Sequence, residues 1–101
     1  MHLIEVFLPL TFPDGTGVPE SLMAIVQAEL TERFGGVTVY ARAPADGVWK
    51  GSGGVERDAL VVLEIMTDEL DKDWWSGFRH RGEALFRQEE LVIRATRIDR
   101  L

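Results

Sequence analysis

The chain predicts an α+β fold in which two helices cover one face of a four-stranded antiparallel sheet. Three observations carry that expectation. Strand-period and helix-period segments alternate in the order strand, helix, strand, strand, helix, strand. Gly35 and Gly36 separate the first helical segment from the strand that follows. Residues 59–66, "ALVVLEIM", form a nearly continuous apolar run, as a central strand requires. This order is the pattern of a ferredoxin-like βαββαβ sandwich, and right-handed crossovers give it the spatial strand order four, one, three, two. With 101 residues, the chain reads as one domain spanning 1–101, long enough to bury a core without disulfides or a structural metal.

The first strand is residues 2–8, "HLIEVFL", where Ile4, Val6 and Leu8 alternate onto one side. Pro13, Asp14 and Gly15 mark a turn, and Pro19 suits the first residue of a helix because its missing N–H would be unpaired there. Leu22, Ile25, Val26, Leu30 and Phe34 then recur at helical spacing as the core stripe. Residues 37–43, "VTVYARA", alternate again. The tract "PADGVWKGSGGVERD" between this strand and 59–66 reads as a long irregular hairpin connection. A second helix is expected over 68–88, with Leu70, Trp74, Phe78 and Leu85 inward and Trp75 at the stripe's edge. Residues 91–98, "LVIRATRI", supply the last strand.

Composition narrows the function classes. Hydrophobic residues at 46% and charged residues at 28% fit a soluble globular chain. Seventeen acidic against eleven basic residues leave a net charge of −6, which disfavours a nucleic-acid partner. The absence of cysteine removes disulfide and thiolate chemistry. The opening "MHLIEVFLPL" has no basic flank and contains Glu5, so it reads as a strand rather than a signal peptide. No apolar run reaches membrane-spanning length, and the cytoplasm is the expected location.

From "RFGGVTV" at 33–39, through "GVW" at 47–49 and the strand around "VVLEI", to "FRQEELV" at 86–92, the chain resembles an uncharacterised family of short bacterial proteins, a domain of unknown function. The resemblance extends over nearly the whole chain. It implies the ferredoxin-like fold and brings no activity with it.

Alternation assigns the sheet faces. With Ile4, Val6 and Leu8 toward the helices, Leu3, Glu5 and Phe7 point away. Val37, Val39 and Ala41 face inward, leaving Thr38, Tyr40 and Arg42 outside. The third strand adds Leu60, Val62, Glu64 and Met66 to the outer face, and the fourth adds Val92, Arg94 and Thr96. A charged row is then expected to run Arg94, Glu5, Glu64, Arg42. It is either a set of cross-strand ion pairs or a pocket in which one carboxylate acts as acid or base. The apolar residues around it form a patch of the kind that marks interfaces, so a homodimer through this face is expected. Trp49, in the hairpin, has no core duty and joins Tyr40 and Arg42 where a small-molecule ligand or a second chain can reach.

The candidate ligand-binding residues are therefore Tyr40, Arg42, Trp49, Glu5, Glu64 and Arg94, with no catalytic or metal site and no cofactor. The alternative is a small enzyme of the dimeric α+β barrel type using Glu5, Glu64, Tyr40 and Arg42. His2 and His80 read as surface histidines without metal-ligand spacing. The serines lack a base at motif distance, and "GSGG" does not open a helix, which argues against a phosphate cradle.

Overall fold

A computed structural model describes the backbone of residues 1–51 and 54–101 and the side chains outside residues 40–59. Its elements run β1 (His2–Pro9), α1 (Glu20–Phe34), β2 (Thr38–Gly51), β3 (Gly54–Thr67), α2 (Lys72–Leu85) and β4 (Ile93–Arg97). The four strands form one sheet in the order β2-β3-β1-β4, and each neighbouring pair is antiparallel. This is the α+β ferredoxin-like arrangement that the element order predicts, with the strands in the expected places.

The core lies on one side of that sheet. Ile4, Val6 and Leu8 of β1 and Val61, Leu63 and Ile65 of β3 are buried, each at the inward step of the two-residue period. Val26 and Leu30 of α1 and Trp75 and Phe78 of α2 join them in a single cluster, so both helices cover the same face. Ile25, expected in the α1 stripe, is instead 57% exposed. The inward face of α1 is centred on Val26 and Leu30, with Leu22, Met23 and Phe34 partly buried beside them.

Local devices fix the helix ends. Pro19 is the residue before α1 rather than its first residue, a shift of one position. Gly35 ends α1 in the left-handed conformation at φ 81°, and its N–H donates to the Thr31 carbonyl at 2.8 Å. Helix α2 is shorter than residues 68–88. Asp71 caps its start by accepting from the Trp74 N–H at 3.0 Å. At its end the Gln88 N–H donates to the Glu83 carbonyl and the Arg87 N–H to that of Ala84, which is the Schellman arrangement. Arg87 takes the left-handed position at φ 55°, where glycine is usual, and its guanidinium lies 4.6 Å from the centre of the Phe12 ring.

The inward face of α2 differs from the one expected from spacing. The buried stripe is Trp75, Phe78 and Gly82, continued by Phe86 just beyond the helix. Trp74 is half-buried and Leu85 is 37% exposed, so the two tryptophans exchange the roles expected from spacing alone. Phe34 stacks on Trp75 at 5.2 Å and meets Trp74 edge-on at 5.3 Å. Arg33 lies 4.4 Å from the centre of the Trp74 ring and 3.5 Å from the Asp71 carboxylate, so the end of α1 is fastened to the start of α2.

The tract 44–58 departs from the sequence expectation. It continues β2 and β3 as a paired ladder from Ala45↔Leu60 to Gly51↔Gly54, with a register shift between Tyr40 and Ala45. The shift absorbs the irregularity that Pro44 introduces, because proline cannot donate to a ladder. The molecule is elongated as a result, with extents of 43 × 28 × 27 Å.

Two pairs of substitutions test these devices. Gly35→Ala is expected to cost about 1 kcal/mol, whereas Gly36→Ala, at a position without positive φ, changes stability little. At Gly82 an added Cβ would sit 2.7 Å from Leu91 Cδ1, itself buried, whereas at Gly77 it would meet only the flexible end of Arg81 at 3.4 Å. Both sites are helical, so their propensity gains cancel, and Gly82→Ala should be less stable than Gly77→Ala by about 1–3 kcal/mol. Urea midpoints measure all four, and equal midpoints within either pair contradict the corresponding device.

Candidate functional site

The outer face of the sheet is built by the residues that alternation turns away from the helices. Glu5 on β1 lies opposite Glu64 on β3 and Arg94 on β4. Arg94 grips Glu5 with both arms of its guanidinium, Nε donating to Oε1 at 2.9 Å and Nη2 to Oε2 at 3.5 Å. Its ring contact is Phe7, whose centre lies 4.8 Å away. The hydrogen bond to Glu5, reinforced by that carboxylate's charge, raises the Arg94 pKa above the ordinary arginine value. The side chain of Glu5 is 19% exposed, so this carboxylate is held by a fixed partner at the centre of the sheet.

Three members of the expected charged row are thus neighbours, and the fourth is not. Thr38, rather than Arg42, stands opposite Glu64, because Arg42 falls inside the register shift between Tyr40↔Val62 and Ala45↔Leu60. The side chains of Tyr40, Arg42 and Trp49 lie outside the described residues.

Apolar residues flank the row. Phe7 is opposite Val62, and Leu3 is opposite Met66. Leu3, Phe7, Leu60 and Val62 are half-buried, while Met66 and Val92 are 49% and 53% exposed. Among the described residues no helix packs over this face, because both helices belong to the cluster on the other side.

A second feature lies at the free edge of β4. An open groove of about 280 Å³ runs between β4 and the first half of α2, with Ile4, Leu70 and Ile93 among its apolar walls and Lys72 and Arg79 among its polar ones. Trp75 also lines it, and the indole Nε1 is buried with no hydrogen-bond acceptor. Sequence spacing missed this groove by assigning Trp75 to the edge of the stripe. The signal available was the spacing Trp75, Phe78, Gly82, Phe86, a continuous helical stripe in steps of three, four and four.

Glu83 is a heavily engaged carboxylate. Its Oε2 accepts from the Leu91 N–H at 3.0 Å and from Arg79 Nη1 at 3.0 Å, and Oε1 lies 3.5 Å from His80 Nδ1. His80 is exposed, as a surface histidine is expected to be, with Glu83 as its carboxylate neighbour three residues on. The Leu91 N–H holds the Glu83 carboxyl below its ordinary value of 4.5, Arg79 pulls the same way, and desolvation opposes both. His2 is half-buried rather than on the open surface, with Nδ1 unpartnered. Among the described residues, no three or more histidines and carboxylates are grouped so as to hold a metal ion, and no helix is long and apolar enough to cross a membrane.

Several solved structures share this fold. A phage SAM lyase in complex with S-methyl-5'-thioadenosine matches with a TM-score of 0.65 at 16% identity, over 94% of this chain and 79% of that one. CutA from Pyrococcus horikoshii, in the presence of 3 M guanidine hydrochloride, matches with a TM-score of 0.61 at 19% identity, over 100% of this chain and 87% of that one. The phage SAM lyase in its apo state gives 0.59 at 20% identity, over 94% and 78%. At these identities the likeness establishes the fold. No protein-family model matches the chain, and no curated protein matches it.

The position of Glu83 gives a pH dependence with a definite sign. Its pKa is lower folded than unfolded, so its contribution to stability is present above about 4.5 and is lost as the pH falls through the depressed folded value. Glu83→Gln should lower the denaturation midpoint at neutral pH and flatten the fall in stability on acidification. A variant with the wild-type acid slope contradicts the role given to the Leu91 N–H.

Proposed function

We propose that this chain is a small non-catalytic α+β module that self-associates through the outer face of its sheet, where a small-molecule or protein ligand would also bind. The observation that carries this reading is the uncovered apolar surface around Phe7 and Val62, with Met66 and Val92 each about half exposed. A stable interface removes roughly 800 Å² per partner, about an eighth of the 6870 Å² surface of this chain, and a sheet face is large enough to supply it. The Glu5–Arg94 pair lies within the patch and supplies charge complementarity. In a two-fold dimer whose axis passes by this pair, Glu5 of one copy would face Arg94 of the other, which would fix the docking register. Membership of the uncharacterised bacterial family suggested by "RFGGVTV" and "FRQEELV" is part of the same proposal.

The enzyme alternative has less support. The Glu5 carboxylate is already engaged by Arg94, and Arg42 does not stand opposite Glu64. Sedimentation velocity tests the module reading. The wild-type protein should sediment as a dimer, and Val62→Asp as a monomer with unchanged secondary structure. A wild-type protein that remains monomeric at high micromolar concentration overturns it.

A further inference from the structure

We propose that the groove between α2 and β4 is a binding site for a small organic anion, a carboxylate carried on an apolar body. This does not rest on self-association, since the groove lies on the helix side at the free edge of the sheet and shares only Arg94 with the outer face. Its volume of about 280 Å³ is just below the ~300–1,000 Å³ of ordinary ligand pockets, so the occupant is small.

The chemistry of the walls selects the class. In a chain of net charge −6, no acidic residue lines the groove among the described residues, whereas Lys72, Arg79 and Arg94 do, Arg94 being already engaged by Glu5. Lys72 makes no ion pair among the described residues, so its ammonium is available. Arg79 gives Nη1 to Glu83, and that bond orients the remaining guanidinium donors without consuming them. Ser76 adds a hydroxyl at the rim.

Trp75 supplies the deciding observation. It is 6% exposed, and its Nε1 donor is buried with no acceptor. A buried N–H normally finds a partner, and a neutral hydrocarbon in the groove would leave this one unsatisfied. A carboxylate oxygen satisfies it and meets the two cations, while Ile4, Leu70 and Ile93 cover the apolar remainder. Nε1 is shielded from solvent, so binding includes a small rearrangement of the groove wall that brings the acceptor to it.

The test is a titration of the ¹⁵N-labelled protein with phenylacetate, with its neutral isostere phenylacetamide, and with inorganic phosphate, following the indole N–H signals. Trp75→Phe assigns the signal, and sequential backbone assignment does so if that variant fails to fold. The Trp75 indole signal should shift saturably with phenylacetate and bind phenylacetamide at least about tenfold more weakly. Lys72→Met, at an exposed position, should weaken phenylacetate about fivefold with an unchanged thermal midpoint. A Trp75 signal that stays fixed up to ~10 mM phenylacetate overturns the proposal. So does an equal response to acid and amide, which removes the role of charge. A response to phosphate as strong as to phenylacetate overturns it too, by removing the role of the apolar body.

Discussion

Everything in this molecule is arranged around β1 having a neighbour on each side and helices on only one face. Ile4, Val6 and Leu8 are almost wholly buried, at 1%, 0% and 1% exposure, and burying such side chains contributes roughly 1.5–3 kcal/mol each. Because successive side chains point to opposite faces, that burial determines the other side as well: Leu3, Glu5 and Phe7 have nowhere to go but outward. A slip of one residue would exchange the two sets, placing a carboxylate among the helices. The outer patch and its charged pair are therefore by-products of how the core is satisfied, available for use by whatever meets that face.

The helical layer is secured by contacts that are local in space and distant in sequence. Arg33 bridges the Trp74 ring and the capping Asp71, Phe34 stacks on Trp75, and Arg81 meets Glu29 at 2.7 Å. At the other end of α2, Gly82 admits the Leu91 side chain and Glu83 holds the Leu91 N–H, so two adjacent residues steer the chain into β4. The groove at the β4 edge exists because that return places the short strand beside the first turns of α2 without closing the gap.

The strand order, the inward faces of β1 and β3 and the left-handed glycine were legible in the sequence, because each depends on a period or residue type that acts locally. So was the adjacency of Glu5, Glu64 and Arg94, which follows once strand order and alternation are combined. What was not legible depends on phase or register. Trp74 and Trp75 both fit a helical stripe through Phe78, at four and three residues, so spacing alone does not choose between them. Arg42 loses its place in the row through a shift on a strand whose length disguised itself as loop: Pro44 and the glycines of 47–54 look like punctuation but lie largely in a ladder. The groove needed coordinates, since its walls combine β1 with the distant α2 and β4.

The position of β1 also shapes the order in which the molecule can assemble. Strands β2 and β3 are consecutive and can pair as soon as both exist. β1 faces Thr67 and Arg97 from His2, so both of its partners are far downstream, and the backbone bond from Ile98 to Met1 closes nearly the whole chain. Such long-range pairing slows folding, because the entropy of closing large loops is spent before the contacts form. The first strand in sequence is therefore the last to be completed on both sides. Until β4 arrives, its apolar edge is the segment most in need of protection from other chains.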